Sequence, residues 1–225
     1  MSYSYYSLPD TPLINRRKFF RLTGSLAAAA AWSSVSGQPV QRNPKLSAYP
    51  FQLGVASGDP SPDGVVLWTR LATDPLNGGG MPMEPVGVSW ESAADDNFRK
   101  VVQKGTKIAV HDWGHSVHVE LQGLQPSRWY YYRFKVGNET SQVGRTRTAP
   151  PINSTPDELR FAFASCQHYE TGHYTAYDHM VREDLDLIIH LGDYIYEGKG
   201  ADGRFRKHHG DEIYTVDDYR TRYAQ

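Results

Sequence analysis

With a single cysteine in 225 residues, no internal disulfide is possible. Any stable core must therefore come from burial alone, and the length is sufficient for one or two domains with real cores. Asparagine is absent after Asn153. No apolar run approaches the roughly 20 residues that a membrane-spanning helix needs. Neither sign of charge dominates: 24 Lys and Arg face 25 Asp and Glu, for a net charge of -1. That balance excludes the basic footprint of a nucleic-acid-binding surface. The Gly-rich segment 74–85 lacks the Lys-Ser/Thr ending of a phosphate-cradling P-loop. Tyrosine, by contrast, is plentiful at 15, which suits β-structure and interfaces.

The first 37 residues read as an export signal rather than as part of the fold. Asn15-Arg16-Arg17-Lys18-Phe19-Phe20-Arg21 carries a twin arginine, followed by Leu22 and a mild run of alanines ending at Ala31. Small residues at Val35-Ser36-Gly37 suit a cleavage site. Such a signal is a receptor-read address and predicts periplasmic, cell-wall or extracellular delivery through the twin-arginine translocase. That route carries proteins already folded, so a cofactor can be inserted beforehand. A lone thiol on an exported chain is at risk of oxidation. Metal ligation would protect Cys166, and so would burial.

Residues 38–49, polar with two prolines, read as a linker. Short apolar runs then recur at 51–56, 64–70, 86–91, 98–103, 106–110, 116–121, 129–136 and 142–148, separated by Gly, Pro and Asp. Val117, Val119 and Leu121 alternate with Ser116, His118 and Glu120, the pattern of a half-buried strand. Many short strands at this spacing predict an antiparallel β-sandwich over 50–150. Gly58-Asp59-Pro60-Ser61-Pro62-Asp63-Gly64 reads as a double turn, and 74–85 as a loop too Gly-rich to pack. His111, His115 and His118 fit no zinc spacing and read as surface histidines. Leu124-Gln125-Pro126-Ser127-Arg128-Trp129-Tyr130-Tyr131-Tyr132 resembles the strand entry of fibronectin type III modules, where a tyrosine bonds back to nearby backbone; Tyr130 or Tyr132 would take that place.

A Pro-rich hinge at 150–156 leads into the stretch that carries chemistry. Residues 159–164 and 185–191 are apolar runs of strand length, the second long enough to be buried, with a helical pattern from Gly172 through Leu185 between them. Strand, helix and parallel strand make a βαβ unit, whose two strands end on one edge of the sheet, where open α/β folds bind ligands. Cys166 follows the first strand, Asp193 follows the second, and Tyr196 lies three residues beyond. Singly, a buried Cys, a turn Asp and a packing Tyr are ordinary. Together at adjacent strand ends they form a thiol, a carboxylate and a phenol suited to a hard trivalent metal tolerant of sulfur. His190, inside the second strand, reads as a hydrogen-bonded core residue. His168, two positions after Cys166, is not assigned as a ligand. The basic segment 198–210 reads as a long loop, either solvated or lying over the site to attract phosphate. Residues 216–223 begin a helix with Asp217 and Asp218 in its first turn.

Gly192-Asp193-Tyr194-Ile195-Tyr196 resembles the GDxxY motif of metallophosphoesterases. With Ala164-Ser165-Cys166-Gln167, Ser57-Gly58-Asp59-Pro60 and Val66-Leu67-Trp68-Thr69-Arg70, the order and spacing resemble the PhoD family of alkaline phosphatases and phosphodiesterases, from about residue 51 onward. The resemblance implies an α+β multidomain chain: an antiparallel fibronectin-III-like sandwich, then, over 157–225, the first βαβ unit of an incomplete metallophosphatase domain. It implies iron(III) held by Cys166, Asp193 and Tyr196, with Asp193 bridging to calcium, and phosphate esters as substrates attacked by a metal-activated hydroxide. The family's later ligands, an Asn and then Asp and His residues, have no counterparts here, so the expectation is an amino-terminal part that is inactive or weak alone. The alternative is a non-catalytic secreted sandwich that binds wall polymer or a partner.

Overall fold

The computed structural model describes residues 39–225, so the predicted twin-arginine signal lies outside the described residues. A three-stranded antiparallel sheet holds β1 (Val55–Ser61), β2 (Gly64–Arg70) and β5 (Ser116–Leu121) in that order. A five-stranded antiparallel sheet holds β3 (Val86–Ala93), β4 (Val101–Ala109), β6 (Trp129–Val136), β7 (Glu139–Thr140) and β8 (Gly144–Arg147). Its order is β4-β3-β6, with β7 and β8 both pairing β6.

Alternation along each strand sends one set of side chains to a shared interior. From the smaller sheet these are Val65, Leu67, Val117, Val119 and Leu121. From the larger they are Val86, Val88, Tyr130, Tyr132, Phe134 and Val136. Each such side chain, fully buried, contributes about 1.5–3 kcal/mol of transfer free energy. Tyr130 Oη accepts a hydrogen bond from the Gln125 amide at 2.9 Å, so of the two candidate tyrosines it is Tyr130 that pins the strand entry.

Several expectations need correction. The runs 98–103 and 106–110 form one strand, β4, not two. Gly105 is no break: a Cβ there would lie 2.8 Å from Trp90 Cζ2, so the glycine seats the indole of the paired strand. The predicted double turn at 58–64 is mostly strand. β1 runs to Ser61 with a bulge between Gly58 and Ser61, and only Pro62 and Asp63 turn. The start of the 51–56 run is a bridge from Phe51 to Ala72 rather than a strand. The Gly-rich loop does pack. Thr73 Oγ1 donates to the Gly80 carbonyl at 2.8 Å, the Asp74 and Gly79 backbones pair, and Met81 reaches the core. The linker is partly built into the sheet, since Gln41 bonds the Pro85 carbonyl and the Gly87 amide and Leu46 packs on the core. His115 is buried, not a surface residue, and its burial lowers its basicity.

After the hinge, β9 (Phe161–Ala164) and β10 (Leu187–His190) pair in parallel, Phe161 with Leu187 and Ala164 with His190. The α-helix between them, α1 (Thr175–Met180), has six residues, none buried. The longer helix expected from the pattern is cut at Tyr174, whose φ of 59° is left-handed, and Tyr169, Tyr174 and Tyr177 meet edge to edge instead of forming a stripe. The expected burial of the second strand also fails: Leu187, Ile188 and Ile189 are 36%, 54% and 38% exposed. A second helix, α2 (Val216–Arg222), starts at a capping box in which Thr215 and Asp218 satisfy each other's amides. Ten strands and two short α-helices make the described chain mostly β.

Polar links tie this half to the sandwich. Arg70 on β2 donates to the carbonyls of Gly114 at 3.1 Å and Arg220 at 2.9 Å. Arg220 returns a bond to the Asp112 carbonyl at 2.6 Å. Arg147 on β8 pairs with Asp186 ahead of β10.

Candidate metal centre

The parallel register of β9 and β10 continues past their last residues. The Leu191 amide donates to Ala164 at 2.8 Å, and the Cys166 amide to Gly192 at 3.1 Å. These two bonds set the turn after β9 against the turn after β10. Gly192 has φ 129°, a conformation that suits glycine. Cys166 and Asp193 both have left-handed φ, 54° and 51°. Each such non-glycine residue costs on the order of 1–2 kcal/mol. Two of them side by side mark a strained corner at these strand ends.

The three predicted donors converge. Cys166 Sγ lies 3.4 Å from Asp193 Oδ2, and Tyr196 Oη donates to the same oxygen at 3.0 Å. The sulfur is exposed rather than turned into an apolar interior. Desolvation, followed by the Asp193 carboxylate and the Cys166 thiol, pushes the Tyr196 phenol up to about 12. At neutral pH, then, the phenol keeps its proton and donates it to Asp193. A cation bound here would displace the protons of thiol and phenol. Among the described residues no three His, Cys, Asp or Glu side chains cluster as a metal site. The donor set here is different, because its third member is a phenol.

The neighbours fix this corner. Gln167 Nε2 donates to the Tyr194 carbonyl at 2.9 Å, while its Oε1 accepts from the Tyr177 hydroxyl of α1. His168 is not among the converging donors. Its Nδ1 accepts from the Glu170 amide at 3.3 Å, and its ring packs 5.0 Å from that of Tyr196. His190 is half-buried rather than in a core, with Nδ1 accepting from the Gly192 amide at 3.3 Å. The segment 198–210 is exposed over most of its length but is pinned at two points. It folds around the buried Glu170, whose Oε1 accepts from the amides of Ala201 at 2.9 Å and His208 at 3.1 Å. His208 stacks on Tyr169 and lies 5.9 Å from His168.

Desolvation raises the Glu170 carboxyl, but the His208 and Ala201 amides and the two imidazoles outweigh it and leave the group below its ordinary range. The sequence reading passed over Glu170 and Arg222. Their partners are backbone atoms, which no side-chain spacing reveals.

Two family profiles cover the described chain: one described as the N-terminal domain of PhoD-like phosphatase over residues 35–150, the other as PhoD-like phosphatase over 161–225. Alkaline phosphatase D of Bacillus subtilis (strain 168) is 53% identical over 220 residues, covering 94% of this chain and 38% of its own length. A solved structure of PhoD superposes with a TM-score of 0.79 at 57% identity, over 80% of this chain and 36% of its own. The chain thus spans well under half the length of the relatives it matches.

Proposed function

The chain belongs to the PhoD-like phosphatase family, and on that premise we propose that it supplies the first half-site of a metal-dependent phosphoric ester hydrolase. The observation that carries this reading is the meeting of Cys166 Sγ and Tyr196 Oη on one oxygen of Asp193. Cys166, Asp193 and Tyr196 would hold iron(III). Both contacts fall on Oδ2, and Asp193 would also serve calcium. The metals, when bound, supply a Lewis acid and a hydroxide at neutral pH for in-line attack on a phosphate ester. The chain's own part is to keep a thiol, a phenol and a carboxylate preset beside adjacent strand ends. Donation from Cys166 and Tyr196 would favour a ferric ion acting as a Lewis acid.

The finer organisation follows the same reading: a twin-arginine signal over 1–37, a linker over 38–49, a fibronectin-III-like sandwich over 50–150 and the start of the metallophosphatase domain over 157–225. Export through the twin-arginine translocase rests on Arg16 and Arg17. Among the described residues no helix is long and apolar enough to cross a membrane. Three donors from one side form an open site, so this chain alone should bind iron weakly and hydrolyse slowly.

Ferric titration of the purified chain tests the reading. The expected result is a visible phenolate-to-iron absorption that vanishes in Tyr196→Phe and weakens in Cys166→Ser. Slow hydrolysis of an aryl phosphate should require iron and calcium together. Titration with no phenolate absorption, or with absorption unchanged in Tyr196→Phe, refutes it.

A further inference from the structure

Tyr196 is the one donor of the three that does not sit directly at a strand end, so something else must hold it. A buried guanidinium does. Arg222, 3% exposed at the end of α2, donates to the Tyr196 carbonyl, to Gly198 O at 3.1 Å and to Asp211 O at 3.0 Å. A buried charge is costly unless its donors are engaged; here both terminal nitrogens of the planar guanidinium reach carbonyls, while Nε is buried without a partner.

The rest of α2 grips the same segment. Tyr223 stacks on Tyr194 with ring centroids 5.7 Å apart, and Tyr219 Oη lies 3.3 Å from Glu197 Oε1. The helix is itself anchored from outside the site by Arg70, 9% exposed on β2, which holds the Arg220 carbonyl two residues before Arg222. A continuous path therefore runs from the sandwich through Arg70, α2 and Arg222 to the backbone of Tyr196.

We infer that Arg222 is a positioning residue for Tyr196, and that Arg70 lets the sandwich set where α2, and hence the phenol, stands. This rests on the reading of Tyr196 as a metal donor. Outer partners that orient a ligand typically change metal affinity by about 10–100-fold when lost. Such a role differs from simple support, because Cys166 and Asp193 are held by their own strand ends and should keep their places when Arg222 is changed.

Two readouts on the full chain test it. In ferric titrations, Arg222→Met should lower affinity by about tenfold or more and weaken the phenolate absorption out of proportion to any loss of fold seen by circular dichroism. Arg222→Lys, which keeps charge and stem, should recover part of it, and Arg70→Lys should show a smaller shift of the same kind. Independently of metal, 3-fluorotyrosine placed at position 196 should give one fluorine resonance in the parent and a shifted, broadened one in Arg222→Met. If Arg222→Met does not fold, the same comparison in Arg222→Lys decides. A folded Arg222 variant whose fluorine resonance matches the parent overturns the proposal. If the parent takes up iron with no phenolate absorption, the metal reading fails, yet the fluorine comparison still decides whether Arg222 sets the ring.

Discussion

Between residues 40 and 150 the apolar side chains face one another, whereas between 157 and 225 most of them face solvent. In the sandwich, Leu67, Val88 and Phe134 are each 0% exposed. In the second half, the fully buried residues include Glu170, His208 and Arg222, while Phe161, Phe163, Ile188 and Leu191 are all more than half exposed. The first half is held by burial, and the second relies on hydrogen bonds to buried polar groups, although His208 Nε2 and Arg222 Nε are buried without a partner. Burial is insensitive to direction, whereas hydrogen bonds fix position. The half that carries the candidate site is the one whose geometry is set by directed contacts.

The largest expected effect tests the sandwich side of the contrast. Phe134→Ala removes a ring from the centre of β6 and should cost about 3–5 kcal/mol, read as a shift in the denaturant midpoint by tryptophan fluorescence. A loss under about 1 kcal/mol would mean the core is not close-packed there. Next comes Gly144→Ala. A Cβ at Gly144 would lie 2.3 Å from Tyr132 Cζ, across the β6–β8 pair, in contact with a ring whose phenol burial pushes up to about 12. The methyl must displace a buried ring, so the expected cost is about 1–3 kcal/mol by the same melt.

These same residues show what was legible beforehand. The bounds of β5 follow from alternation, with one face buried and the other wet, and those of β2 and β6 from apolar runs set between Gly, Pro and Asp. β4 was divided at Gly105 because a glycine in a strand reads as punctuation. Only the packed structure reveals the indole of Trp90 lying against it. At the site, Cys166, Asp193 and Tyr196 were legible because parallel strand ends meet by topology. Arg222 and Glu170 were not, because their partners are the Tyr196, Gly198 and Asp211 carbonyls and the Ala201 and His208 amides. The helix before β10 was overestimated because the tyrosine periodicity is satisfied by ring–ring contacts.

A pH test probes the polar half directly. Glu170 lies below its ordinary carboxyl value of 4.5 in the folded chain, so its contribution to holding 201–208 is complete above 4.5. It is lost as pH falls through the lower folded value, where protonation replaces the carboxylate by a weaker, neutral acceptor. Amide exchange at Ala201 and His208 should therefore quicken below pH 4.5 relative to intrinsic rates, while the amides of β6 in the sandwich stay protected. Glu170→Gln should abolish that acid-specific step. Equal loosening of both halves across this range would show that they do not depend on different forces.

The smallest expected effect completes the contrast. Ile188 sits in the middle of β10 with over half its surface wet, so Ile188→Thr keeps the β-branch and gives up almost no burial. The midpoint should move by no more than about 0.5 kcal/mol, as for other surface changes. What should change is self-association. A two-stranded sheet showing Phe163, Ile188 and Leu191 to solvent is an adhesive edge, and sedimentation should report fewer oligomers in the variant at equal concentration. A cost of about 2 kcal/mol or more, the range for burying an isoleucine, would place Ile188 in an interior after all. The supposed difference between the halves would then reduce to one of what each is packed against, since both would be held by burial.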